Sequence, residues 1–165
     1  MHEDAGVISS DYGIGSQVPL SDLLNDLIIY SDNDAGHILY ENLGGWKEYK
    51  EAMTKYTDSI SENYYTMDNV TTANTMNDVV TYLYDHKEDY KGLIKNMEEA
   101  EPGEYLDRDT QLSMPQKYGM YDYTLNSVGF VECNTSYSIV VLTSLGDKGT
   151  DVMANINRIA YEHFE

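Results

Sequence analysis

The spacing of apolar residues changes at Pro115, and that change limits the fold more than any other feature. Before about residue 99, apolar residues recur every three or four positions, as one face of a helix requires. From Pro115 to about residue 143 they gather in short runs rich in β-branched and aromatic residues, as strands do. Leu23, Leu24, Leu27 and Ile28 predict a helix capped by Ser21, with Asp22 in its first turn, running into Ser31-Asp32-Asn33. Ala35, Ile38, Leu39 and Leu43 predict a second, stopped by Gly44-Gly45 because glycine tolerates the left-handed residue after a helix. Trp46 to about Tyr56 reads as a third helix, with Tyr49, Ala52 and Met53 on its stripe. Residues 1–20 and 57–70 carry no period and read as loops, with 1–11 flexible. Thr71-Thr72 offers a cap for a helix through Met76, Val79, Val80 and Leu83, and Leu93, Ile94 and Met97 mark a short helix over 91–99. Strands are predicted at 116–122, 127–133 and 137–143, with Asn126 and Asn134-Thr135-Ser136 as the turns between them. Residues 146–149 break the pattern, and Val152, Ile156, Ile159, Ala160 and Phe164 form the stripe of a C-terminal helix.

The expected fold class is therefore α+β, in one domain over 1–165: a helical part, a three-stranded antiparallel meander and a C-terminal helix. Three strands make a thin sheet for 165 residues, so further strands are expected to be missing or supplied elsewhere.

Charge and composition remove several functions. A net charge of −19 excludes nucleic acid, whose phosphates need a basic face, and disfavours an anionic membrane surface. Cys133 is the single cysteine, which leaves no intrachain disulfide and no cysteine-rich metal site. The histidines, at 2, 37, 86 and 163, lack ligand spacing; no metal or other cofactor is expected. No run reaches the roughly 18–20 apolar residues of a membrane span, and Met1–Asp4 is acidic where a signal peptide is basic. Sixteen tyrosines suit half-buried positions, or a surface that binds sugar or peptide.

Two tripeptides carry chemistry. In Ser31-Asp32-Asn33 a hydroxyl can shuttle a proton and an amide can both donate to and accept from a substrate amide; the same residues also suit a helix–helix junction. In Lys117-Tyr118-Gly119 a lysine stands on the first strand with a glycine two residues on, which lets a ligand approach the backbone; a lysine on an edge strand also deters aggregation.

In combination these residues resemble a known family. Gly13-x-Gly15, Leu23, Leu27-Ile28, Ser31-Asp32-Asn33-x-Ala35, Leu39, Leu43-Gly44-Gly45, the Thr71-Thr72 helix start and the Lys117-Tyr118-Gly119 strand are similar, in order and spacing, to the penicillin-recognising serine hydrolases. They resemble the class A β-lactamases and D-alanyl-D-alanine peptidase relatives over roughly residues 12–164. The resemblance implies an incomplete β-lactamase-like fold and a β-lactam or a peptidoglycan peptide as ligand. It implies that Ser31 passes a proton to the leaving nitrogen and that Lys117 attracts the substrate carboxylate. Asn33 would bond the substrate side-chain amide, Asp32 would hold the turn, Tyr118 and Gly119 would line the substrate strand, and the Met120 N–H would join the oxyanion hole. An extracellular or cell-envelope site in a bacterium follows in the same way.

Three departures accompany it. The family nucleophile lies in Ser-x-x-Lys, and no lysine here has a serine three residues before it. This chain is thus expected to match the later portion of such a protein and to be inert alone. The 57–70 loop lacks the Glu-x-x-Leu-Asn of a class A β-lactamase, and Tyr118 replaces the family threonine. A non-catalytic relative that binds peptidoglycan or a protein partner is the second reading. An unrelated acidic interaction domain is the third, and it requires Ser31 and Lys117 to lie far apart. The strand at 137–143 is expected to present an unpaired edge, open to dimerisation or to a complementing N-terminal segment.

Overall fold

The structure, a computed structural model, describes residues 6–110 and 112–165. The acidic start at Met1–Asp4, His2 and the flexibility expected of residues 1–5 lie outside the described residues. The helices are α1 (Val7–Asp11), α2 (Leu20–Ile29), α3 (Asn33–Asn42), α4 (Trp46–Met53), α5 (Ala73–Asp85), α6 (Lys91–Glu99) and α7 (Lys148–Phe164). A 3-10 turn spans Glu62–Tyr65. Strands β1 (Gln116–Tyr121), β2 (Thr124–Val131) and β3 (Tyr137–Thr143) form an antiparallel meander in the order β1-β2-β3. The α+β class expected from the spacing is the one observed.

α7 covers one face of the sheet and α5 the other. On the α7 side Leu106, Met114, Leu125, Ile139, Val141 and Met153 form the main core. On the α5 side Val80 is buried, and Tyr84 meets Phe130 edge-on with ring centroids 5.3 Å apart. A second, smaller core of Ile8, Leu23 and Ala35 joins α1, α2 and α3. α6 touches both α2 and β1, which ties the helical part to the edge of the sheet.

Several expectations need correction. Residues 7–11 are helical, because Ile8 is buried against Leu23 and Ala35; five residues are too few to reveal a period. α2 begins at Leu20 after Pro19, whose fixed φ suits a helix entry, so Ser21 lies in the first turn and makes no cap. α4 ends at Met53, short of Tyr56. Asn126 is inside β2, paired with Gly119 and Leu142, and its Oδ1 accepts a 3.0 Å bond from the Thr143 N–H. The turn falls at Asp122, with φ +53, a left-handed conformation that aspartate tolerates in a two-residue hairpin. Helix α7 starts before Gly149, which is buried 2.6 Å from Thr143 Oγ1 measured from an ideal Cβ. The buried face of α7 carries Met153, Ala154 and Asn157, while Val152, Ile156 and Ile159 are exposed. Asn157 turns the helix this way: its amide donates to Leu106 O at 2.8 Å and its Oδ1 accepts from the Tyr137 hydroxyl at 2.9 Å.

Gly129 shows how tightly β1 and β2 approach. A Cβ there would sit 2.5 Å from Pro115 O and 2.8 Å from Met114 Cε. Gly129→Ala is therefore expected to cost about 1–3 kcal/mol, read as a lower midpoint of urea unfolding with an unchanged slope.

Candidate active site

The turn between α2 and α3 places Ser31 and Asp32 with opposite tasks. Asp32 is 4% exposed and caps α3, its Oδ1 accepting from the N–H groups of Asp34 (2.8 Å) and Ala35 (3.0 Å). Its Oδ2 accepts from the Ile8 N–H at 2.9 Å, which docks α1. Gly6 permits this approach, since an ideal Cβ there would lie 2.3 Å from the carboxylate. Ser31 has φ +54, a left-handed conformation that costs a non-glycine residue roughly 1–2 kcal/mol. Asn33 opens α3 and is exposed.

Lys117 reaches this turn from 86 residues away. Its Nζ donates to Ser31 Oγ and to Tyr118 O at 3.0 Å, and it lies 4.5 Å from the centre of the Tyr118 ring. Burial pulls its ammonium down to about 8, with Glu101 acting in the opposite direction. The group is thus cationic at neutral pH and near the point of releasing its proton. Juxtaposition of Ser31 and Lys117 removes the reading in which the two lie far apart. β1 is an edge strand, as the aggregation-deterring role would require, yet its lysine is half-buried in a polar contact.

A buried network that the sequence did not reveal holds β1 in place. Gln116 is 2% exposed; its Oε1 accepts from the Leu106 N–H at 3.0 Å, and its amide donates to Glu104 O and Asp107 Oδ1, both at 3.0 Å. Asp107 in turn accepts from the Gly103 N–H at 3.1 Å. The network fixes the 101–107 loop so that Tyr105 stacks on Tyr118, centroids 4.3 Å apart and planes 16° from parallel. Burial raises the Tyr105 hydroxyl to about 12, so it stays neutral. Glu101 and Tyr105 also have positive φ, so three of the four left-handed non-glycine residues among those described border this site. Strain of this kind gathers where surrounding structure imposes it.

Gly119 and Met120 are exposed, and nothing lies within 4 Å of a Cβ built on Gly119. The strand is open to a ligand at that point. A cavity of about 280 Å³ is lined by Lys117, Tyr118 and Gly119 together with Tyr64, Asn69 and Thr71. The Tyr64 and Thr71 hydroxyls are buried without a hydrogen-bond partner. An apolar groove of about 780 Å³ adjoins it, sharing Tyr49, Lys50 and Asn69 and lined by Leu24, Leu27, Leu39, Leu43 and Trp46. Among the described residues no group of three or more His, Cys, Asp or Glu gathers as a metal site, and no helix is long and apolar enough to cross a membrane.

A helical part joined to an antiparallel sheet, with a Ser-Asp-Asn turn bonded to the edge-strand lysine, defines a β-lactamase-like serine hydrolase fold. The chain belongs to the beta-lactamase enzyme family, whose model matches residues 2–164. Among solved structures it is similar to the TLA-1 extended-spectrum β-lactamase, at 19% identity and TM-score 0.77, over 99% of this chain and 71% of that one. A β-lactamase from Burkholderia phymatum matches at 17% identity and TM-score 0.75, over 96% of this chain and 69% of that one. A PBP-A variant, solved as an acyl-enzyme with penicillin G, matches at 14% identity and TM-score 0.76, over 98% of this chain and 67% of that one. No curated protein matches. The protein is a relative of the β-lactam hydrolases.

Proposed function

We propose that residues 1–165 form the proton-relay and carboxylate-binding side of an acyl-transfer site. Its ligands are β-lactams or the D-alanyl-D-alanine end of cell-wall peptides. The observation that carries this reading is the hydrogen bond from Lys117 Nζ to Ser31 Oγ. Ser31 passes a proton to the leaving nitrogen, and the ammonium of Lys117 lowers the energy of the developing charge and attracts the substrate carboxylate. Asn33, exposed at the start of α3, bonds the substrate amide; Tyr118 and Gly119 line the strand; the Met120 N–H joins the oxyanion hole. Asp32 has a structural task only. Cell-wall substrates put the work of this site in the envelope of a bacterium.

The acylated serine comes from outside these residues, because the chain contains no Ser-x-x-Lys. The cavity and groove around Tyr49 and Lys50 have the apolar lining that a helix carrying it would need. The outer edge of β3 is unpaired among the described residues, where a complementing segment or a second copy would add a strand. Intact-mass measurement after incubation with benzylpenicillin tests this division of labour. The expected result is unmodified protein; an adduct of one penicillin mass would overturn it.

A second reading, a non-catalytic relative that holds peptidoglycan, draws on the hairpin tip beyond the site. Tyr121 and Tyr123 are 84% and 73% exposed there, beside Met120 at 60%. Exposed rings of this kind suit stacking on sugars. Retention of the protein on insoluble peptidoglycan with no reaction towards penicillin would favour it.

A further inference from the structure

Lys50 is the one buried cation among the described residues, at 4% exposed. It has no carboxylate partner there, in a chain with 29 acidic residues. Its three N–H bonds go instead to three backbone carbonyls of one loop: Tyr64 O at 2.5 Å, Thr66 O at 2.6 Å and Asp68 O at 2.6 Å. The Tyr64 ring covers it, with the centroid 5.0 Å from Nζ. Burying an ammonium is costly unless every donor is matched, and three carbonyl dipoles match all of them.

The arrangement fixes more than the lysine. Carbonyls from alternate residues converge on one point, which sets the backbone course from 64 to 68. That loop and the residues after it put Tyr64, Asn69 and Thr71 on the wall of the cavity that Lys117 also lines. The wall carries two buried hydroxyls without partners, those of Tyr64 and Thr71. A free loop would turn such groups to water, since each costs about 1–3 kcal/mol when left unmade. A firm anchor is needed to keep them where they are.

We propose that Lys50 is a positioning residue, the internal cation around which residues 64–68 are wrapped, and that it holds this loop as the fixed wall of the Lys117 cavity. This goes beyond the acyl-transfer reading, because it requires neither a nucleophile nor a substrate. The wall and Lys117 line the same cavity, so releasing the wall would open the ammonium of Lys117 to more water.

Hydrogen exchange and lysine ¹⁵N NMR on the full chain test the proposal. In the wild-type protein the Lys50 ammonium gives a slowly exchanging signal with couplings to the Tyr64, Thr66 and Asp68 carbonyls. In Lys50→Met the amides of 64–70 exchange about tenfold faster or more while β2 keeps its protection. The Lys117 titration midpoint moves up from about 8 towards the ordinary lysine value. Lys50→Gln, which keeps two donors, falls between the two. Unchanged exchange at 64–70 with an unmoved Lys117 midpoint would overturn the proposal. Should the variants not fold, a fast-exchanging, uncoupled Lys50 ammonium in the wild type would overturn it equally.

Discussion

An Asp32→Ala variant melts about 6–12 °C below the wild-type protein. The carboxylate accepts three backbone N–H bonds, from Ile8, Asp34 and Ala35, in a site 4% exposed to solvent. Loss of the helix cap costs about 1 kcal/mol, and a bond to a buried charge about 1.5–3 kcal/mol. The donors left behind find no ready substitute, because the Ile8 amide is packed in the small core with Leu23 and Ala35. A total near 3 kcal/mol converts to that interval at about 2–4 °C per kcal/mol for a chain of this size. Asp32→Asn keeps the Oδ1 acceptor and loses the one facing Ile8, so it falls by about half as much. Calorimetry on both variants separates the cap from the docking of α1.

Lys117→Met has the opposite effect on stability and a larger one on binding. Burial holds the lysine at about 8 in the folded protein, below its unfolded value of 10.5. The unfolded chain thus binds this proton more tightly, and folding carries a penalty that is complete below pH 8. As pH rises from about 8 to 10.5 the penalty is relieved, and wild-type stability rises by that contribution. Methionine removes the penalty at every pH. With screening of the partly exposed ammonium allowed for, and the bonds to Ser31 and Tyr118 lost, the net gain at pH 7 is on the order of 1 kcal/mol. Urea unfolding is then expected to favour the variant at pH 7, with the difference narrowing above pH 8. Binding moves the other way. A charge-assisted hydrogen bond to a carboxylate is worth about 1.5–3 kcal/mol, so affinity for a carboxylate ligand falls roughly 10- to 100-fold. Stability gained as binding is lost marks a residue kept for its function.

Local patterns carried most of the fold. The helix over 91–99 ends at Glu99, just ahead of Pro102, and Gly44 and Gly45, with φ +99 and +90, stop α3 as their type predicts. Misreadings arose where a residue type has two physical uses. Asn126 resembled a turn residue and serves as a cross-strand acceptor; Asp122 makes the turn. In α7 the apolar stripe through Val152, Ile156 and Ile159 is outward because buried hydrogen bonds at Asn157 decide the rotation. At the site, Ser31 and Lys117 stand 86 residues apart, and only the joint order of motifs linked them. Gln116 left no mark, since its role depends on carbonyls and a carboxylate brought in by the 101–107 loop. Lys50 did leave one: it lies four residues after Trp46 and three before Met53, on the apolar face of α4, where a cation needs a reason.

Titration of the Lys117 ammonium with benzylpenicillin, followed by ¹⁵N NMR, tests the central claim most directly. The account predicts a saturable shift at Lys117 at pH 7, with companion shifts at Ser31 and Gly119. The affinity should fall as pH rises through about 8 and the ammonium loses its proton. A Lys117 signal that ignores the ligand at pH 7, or binding that persists unchanged above pH 9, would contradict it.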